Sequence, residues 1–315
     1  MFRIGRSLAL ATCLIGFGFN PALAQVAFPS VERDAPQWDA KIGGAARYQM
    51  GTDIDAGGNF ETLQYEIAAW AEGPLTESIQ LGFDASYTHT AFEFAGDSGA
   101  ACADPAACFS PSAWQDVHRL DLSPQASLLL TPAIRIRFMV PIRWNAANRA
   151  EADAITAGAV ALLQWKISST FTAGLGIGIR SALGEESNVY PAVSLDWKMG
   201  SELRLQTRGG PYQGGEVALI WSPSETFQGV LTAGYDRQRF RLATGGANPN
   251  GIAQETSVPL LAALELRFSP RLRIVAQGGM AVAGELSIED ARGNRLVKSG
   301  FDSAGLVRGY ATVTF

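Results

Sequence analysis

Two histidines carry the side chains best suited to catalysis or metal binding. They are His89 and His118, the only two in the chain, and Glu93 and Asp116 stand close to them in the sequence. Imidazole and carboxylate groups within reach of each other can ligate a metal ion or act as a general base. However, His89 lies in the tetrapeptide THTA, which lacks a serine for it to activate. We find neither a Gly-rich phosphate loop nor acids at metal-ligand spacing, so no enzyme, cofactor or metal is predicted.

Cysteines offer a second kind of chemistry. Of the three in the chain, Cys102 and Cys108 fall within the segment CADPAAC, in a stretch rich in Ala, Ser, Asp, Pro and Gly. Metal binding is disfavoured because no further soft ligands lie nearby. We predict a disulfide between Cys102 and Cys108 in a surface loop, because the N-terminal residues described below predict export, and an exported chain passes through an oxidising compartment.

The charged residues follow a regular alternation along the chain. From Ala133 to Trp144 the sequence reads AIRIRFMVPIRW, so that apolar side chains occupy one face of an extended strand and Arg135, Arg137 and Arg143 the other. A soluble sheet could bury one or two such faces in a core. Fourteen of them, without amphipathic helices to cover them, require an apolar solvent around the protein.

The alternating runs define the predicted strands and their connections. The strands are predicted at 40–50, 61–72, 77–94, 115–130, 133–144, 154–168, 170–182, 188–199, 201–209, 214–222, 225–242, 255–268, 271–284 and 303–315. Short connections rich in Gly, Pro and Ser come at every second junction and define a short-turn rim. The remaining junctions define a long-loop rim, with connections predicted at 51–60, 95–114, 145–153, 183–187, 210–213, 243–254 and 285–302. Trp144, Trp165, Trp197, Trp221 and Phe268 fall near strand ends, as interfacial aromatic residues do.

The N-terminal residues predict export. Arg3 and Arg6 precede an apolar stretch from Leu8 to Phe19, and Ala22-Leu23-Ala24 provides a small-residue cleavage site. We therefore predict a signal peptide at 1–24, a periplasmic segment at 25–39 and one barrel domain at 40–315. Removing the signal changes the formal net charge from −5 to −7, because it takes away Arg3 and Arg6 and no acid. An acidic chain gives no reason to expect a nucleic-acid partner.

The last residues, GYATVTF, alternate small or apolar with polar side chains and end on Phe315. This closing strand resembles the C-terminal signature of bacterial outer-membrane β-barrels, in which a final Phe is read by the barrel-assembly machinery. The resemblance implies an all-β fold, a transmembrane antiparallel up-and-down β-barrel of about 14 strands, with 12 possible. It also implies the outer membrane of a Gram-negative cell as location, and outer-membrane lipid and the assembly machinery as partners.

If the apolar faces meet lipid, the polar faces line a lumen in which basic residues outnumber acidic ones two to one. The basic residues are Arg119, Arg135, Arg137, Arg143, Arg180, Arg204, Arg208, Arg267, Arg273 and Arg308, and the acidic ones are Glu66, Asp84, Asp121, Asp196 and Glu265. Charges buried in this number require mutual pairing or water.

The lining leaves three functions open. A basic wall predicts passive passage of small polar solutes with a preference for anions. A closed structural or surface-interaction barrel, with its charges paired, is the alternative. A lipid-modifying barrel enzyme using His89 or His118 is the least favoured.

Overall fold

The structure, a computed structural model, describes residues 38–95, 114, 116–147, 152–210, 214–244 and 248–315. The predicted signal peptide, nearly all of the N-terminal segment, and Cys102 and Cys108 lie outside these ranges. Within them, no helix is long and apolar enough to cross a membrane. The strands are β1 (Asp39–Asp53), β2 (Asn59–Pro74), β3 (Ile79–Ala95), β4 (Asp116–Thr131), β5 (Ile134–Met139), β6 (Ile142–Ala147), β7 (Ile155–Lys166), β8 (Phe171–Ala182), β9 (Glu185–Lys198), β10 (Leu203–Gly210), β11 (Gly214–Trp221), β12 (Phe227–Gly234), β13 (Asp236–Arg241), β14 (Ile252–Arg267), β15 (Leu272–Glu289), β16 (Arg295–Phe301) and β17 (Ala304–Thr314).

These segments form one closed antiparallel barrel of fourteen strands, because three strands are each interrupted once. β5 and β6 are two parts of one strand, as are β12 and β13, and β16 and β17. Pro141 lies in the first interruption, where it has no N–H to donate to the sheet. The barrel closes where β1 pairs with β17, from Lys41 opposite Thr314 to Gln49 opposite Leu306. The prediction of fourteen strands is confirmed, and the alternative of twelve is wrong.

Alternate residues of each strand face the lumen and the exterior. In β5, Arg137 is 7% exposed while its neighbour Phe138 is 50% exposed. Large aliphatic side chains such as Leu175, Ile67 and Leu231 are exposed around the outside. This arrangement differs from a soluble core, because large apolar side chains cover the outside of the barrel.

Four short turns on one rim each contain a Ser or Thr hydroxyl that accepts a hydrogen bond from the backbone at the start of the next strand. Thr76 Oγ1 accepts a hydrogen bond from the Ile79 N–H at 3.0 Å, and Ser269 Oγ accepts one from the Leu272 N–H at 3.0 Å. Thr131 and Ser224 make the same contact before β5 and β12. Ser and Thr therefore recur at this rim because their hydroxyls replace a ladder partner in a tight turn. Trp165, Trp197, Trp221 and Phe268 form an exposed aromatic girdle just above it.

Two connections at the long-loop rim are shorter than predicted. The expected connection at 285–302 is wrong, since β15 continues to Glu289 and β16 begins at Arg295. Asp290 closes this turn by accepting hydrogen bonds from the Arg292 and Asn294 N–H groups and the Asn294 side chain, which lower the pKa of Asp290. The connection predicted at 183–187 is likewise only two residues long. The alternation of inward-facing and outward-facing residues continues through both segments, but it is hard to recognise there because many of the residues are small or polar.

The strand formed by β12 and β13 bends out of the barrel wall toward the long-loop rim. β12 pairs with β11 up to Gly234, and beyond this point β13 bends inward while it still pairs with β14. Gly214 permits the bend, because its φ is +84° and a Cβ there would lie 1.8 Å from the Tyr235 carbonyl oxygen. At its tip, Arg241 pairs with Ala146 of β6, which belongs to the opposite wall. The lumen is thus narrowed near the long-loop rim.

Candidate lumen site

An apolar plug occupies one side of the lumen at the long-loop rim. We define it by six fully or nearly fully buried side chains. They are Phe60, Phe92, Trp114, Phe240, Leu286 and Phe301. The Trp114 ring lies 5.4 Å from that of Phe240 and 5.5 Å from that of Phe92, both edge to face. Apart from Trp114, which lies between β3 and β4, these side chains come from β2, β3, β13, β15 and β16. The plug therefore occupies the side of the lumen between the bent β13 and the barrel seam.

Directly beneath the plug lies a charged chamber of about 430 Å³. Its lining includes Arg47, Glu66, Arg119, Asp236, Arg273 and Arg308. Gln64 is four residues from Phe60, and Gln238 is two residues from Phe240, so chamber and plug are adjacent along the same strands. The lining continues to Thr312 and Gly43 near the short-turn rim. The lumen therefore has a polar compartment toward the termini. At the opposite end it has the apolar plug on one side of β13 and polar side chains such as Thr156 and Arg180 on the other.

Several of the predicted lumen charges are paired near this chamber. Asp121 accepts from Arg143 Nε at 2.5 Å and lies 3.1 Å from Arg119 Nε. Arg204 forms a two-pronged ion pair with Asp196. These side chains are mostly buried, so each pair offsets the cost of removing its own charges from water.

The remaining predicted lumen residues divide between pairs and single contacts. Glu265 lies 3.3 Å from Arg267 and 3.4 Å from Arg273, and Glu66 lies 3.7 Å from Arg308.

Asp84 accepts from Gln125 at 2.9 Å, and Arg137 donates to Ser127 at 3.2 Å. The Arg180 guanidinium lies 5.4 Å from the centre of the Tyr190 ring, Arg135 is partly buried, and Arg208 stands opposite Glu216 in the sheet register. Of the predicted basic residues, Arg119, Arg273 and Arg308 line the chamber.

The contacts of Arg237 and Arg239 in β13, which hold the inward bend, were not predicted from the sequence. Arg239 contacts Glu289 at 2.5 Å and Glu185 at 3.1 Å, and donates to the Leu183 carbonyl oxygen at 2.6 Å. Arg237 contacts Glu185 at 3.3 Å. A signal was present in the segment DRQRFR, which has charges on both faces. Such a strand offers no face suited to lipid, which agrees with its inward course.

Both histidines lie on the exterior near the long-loop rim. They stand opposite each other in β3 and β4, with ring centroids 5.0 Å apart. His89 Nε2 lies 2.9 Å from Asp116, and His118 Nδ1 lies 2.7 Å from the Tyr87 hydroxyl. In the described part of the chain, no three His, Cys, Asp or Glu side chains converge as metal ligands would. The ring contacts and hydrogen bonds hold the two imidazoles side by side on this exterior surface.

Comparisons with known proteins found neither a matching family model nor a matching curated protein. Among solved structures, the chain is similar to an outer membrane channel from Pseudomonas putida F1, with 11% identity and a TM-score of 0.48 over 92% of this chain and 100% of that one. A FadL homologue from Pseudomonas aeruginosa shows 11% identity and a TM-score of 0.46 over 89% of each chain. A mutant of the TodX monoaromatic hydrocarbon channel shows 10% identity and a TM-score of 0.42 over 89% of this chain and 90% of that one. The chain's own strand pairing and apolar exterior define it as a fourteen-stranded antiparallel β-barrel of the transmembrane type.

Proposed function

We propose that this protein is an outer-membrane channel for small polar solutes, with a preference for anions. The charged chamber within a closed, externally apolar barrel is the observation that carries the proposal. The lining carries four arginines against three acids, Glu66, Glu216 and Asp236, and this basic excess favours small anionic solutes over cationic ones. The apolar plug then acts as the gate, because a constriction of this kind excludes water and ions until its side chains separate.

Conductance across planar lipid bilayers tests the channel. We expect rare openings in the intact protein, with a reversal potential in a salt gradient that indicates anions over cations. Cation preference, or a complete lack of openings in the intact protein and in plug variants, would contradict the proposal.

A second candidate function, a closed structural or surface-interaction barrel, is favoured by the plug and by the inward course of β13. In this case the long-loop rim would be the contact surface. Plug variants that fold normally and still conduct nothing would favour it over the channel.

Membrane insertion predicts a depth-dependent cost for a charge on the exterior. Ile177 and Ile167 are equally exposed, but Ile177 lies mid-strand in β8 and Ile167 lies at the short-turn rim. We expect Ile177→Arg to lower the free energy of unfolding in vesicles by about 2–4 kcal/mol and Ile167→Arg by about 0–1 kcal/mol. Reversible urea unfolding in lipid vesicles measures both. Equal costs would argue against a membrane around the barrel.

Recognition by the assembly machinery is proposed for the closing strand. The Phe315 side chain is exposed, while its N–H donates to the Ala40 carbonyl oxygen at 3.0 Å. An exposed terminal ring beside the barrel seam is accessible to a partner. Deleting Phe315 is expected to reduce the folded protein recovered from outer membranes several-fold, whereas refolding of the purified chain in detergent should hardly change. Unchanged recovery in cells would remove this proposal.

A further inference from the structure

We propose that Arg273 and Arg308, on either side of Tyr310, form a binding site for a small dicarboxylate on the chamber wall. The three residues lie on the neighbouring strands β15 and β17 and line the chamber. The inference rests on the proposed function in one respect, that solutes reach this compartment. It adds a ligand class and the residues that recognise it.

Strand register places the three side chains on one face. Gln277 stands opposite Arg308, Val275 opposite Tyr310, and Arg273 opposite Thr312. Arg273 is therefore the diagonal neighbour of Tyr310, and Arg308 precedes Tyr310 by two residues on the same strand. Both guanidinium carbons lie 5.6 Å from the centre of the Tyr310 ring. One ring thus orients two cations, through the attraction of its π face for positive charge.

The two guanidinium groups are weakly matched by protein carboxylates. Arg308 lies 3.7 Å from Glu66, and Arg273 lies 3.4 Å from Glu265, which also contacts Arg267. Close charge-assisted hydrogen bonds measure about 2.7–2.9 Å. Arg47, in the same chamber, makes such a bond, at 2.7 Å to Asp236. Its side chain is 16% exposed, against 42% for Arg273 and 38% for Arg308. The side chains of Arg273 and Arg308 are therefore less enclosed by protein than that of Arg47 and are more accessible from the chamber.

Two guanidinium forks on one wall favour a ligand with two planar anionic groups. A guanidinium binds a carboxylate through two parallel N–H···O bonds, a geometry that an ammonium cannot reproduce. A chamber of about 430 Å³ holds a four-carbon diacid together with its water. A ligand carboxylate would supply the short contacts that Glu66 and the shared Glu265 do not.

Equilibrium binding of succinate to the purified full-length protein in detergent micelles, followed by calorimetry, tests the site. We expect Arg273→Gln and Arg308→Gln each to weaken binding about tenfold, or more if the lost bonds are bidentate. Arg308→Lys keeps the charge but loses the fork, so it should fall between wild type and Arg308→Gln. Arg271→Gln, at the exposed short-turn rim, removes the same charge outside the chamber and should bind as the wild type does.

Three results would overturn the inference. They are absence of succinate binding at millimolar concentration by the folded wild type, equal weakening by Arg271→Gln, and unaltered binding by the double variant of Arg273 and Arg308. Binding in micelles does not require conduction. Succinate binding without conductance would therefore contradict the channel and leave the site standing, whereas anion conductance without succinate binding would do the reverse.

Discussion

Replacing Phe92 and Phe240 with alanine is expected to open the barrel. Both side chains are almost wholly buried in the apolar plug, with ring centroids 5.6 Å apart. Removing a buried Phe side chain costs about 3–5 kcal/mol in a closed, packed state. If only about 1.4 kcal/mol of that distinguishes the closed from the open state, the open population rises about tenfold. Single-channel recording measures this as open probability, and the double variant should exceed either single variant.

Phe83→Ala provides the matched control. Phe83 lies on the same strand, β3, but its side chain is exposed on the exterior. The Phe83→Ala variant removes a phenyl ring from the lipid-facing surface and should leave the open probability unchanged. If Phe83→Ala opened the channel as much as Phe92→Ala does, general loosening of the barrel would explain the effect, and the plug would not be the gate.

The barrel itself could be predicted because alternation is a local property of the sequence. In AIRIRFMVPIRW every second residue is apolar, and the structure exposes Phe138 while it buries Arg137. Register then follows, since a shift of one residue would turn every arginine of the strand toward lipid. Alternation repeated along the chain predicts about fourteen strands without any knowledge of distant contacts, although the weaker signals left twelve possible.

The plug and the chamber could not be predicted in this way. Phe92 and Phe240 are apolar residues at lumen-facing positions, and their role depends on meeting each other across the barrel. Likewise, Arg47 meets Asp236 only because β13 bends inward. Contacts between strands so far apart in the sequence depend on where each strand ends and bends, which alternation does not encode. The segment DRQRFR was the one available sign, since its charges occupy both faces.

Arg239→Met is expected to be the most destabilising single change in the bent strand. The Arg239 side chain is buried beside Glu289, which is also buried, and it bonds the Leu183 carbonyl oxygen in the β8–β9 turn. Removing the guanidinium leaves the Glu289 charge buried without its closest cation, a defect that costs about 3–5 kcal/mol. Urea unfolding in vesicles should show this loss, and the inward course of β13 should weaken with it.

A double variant separates the ion pair from the loss of packing. In Arg239→Met with Glu289→Met, no uncompensated carboxylate remains, so most of the lost free energy of unfolding should return. Lys298→Gln is the surface control, because the pair of Lys298 with Glu285 is partly exposed and is worth at most about 1 kcal/mol. If the double variant proved as unstable as Arg239→Met, the carbonyl contact at Leu183 would be what holds β13. If the double variant regained stability and also conducted more, the ion pair would hold β13 in its inward course without being required for folding.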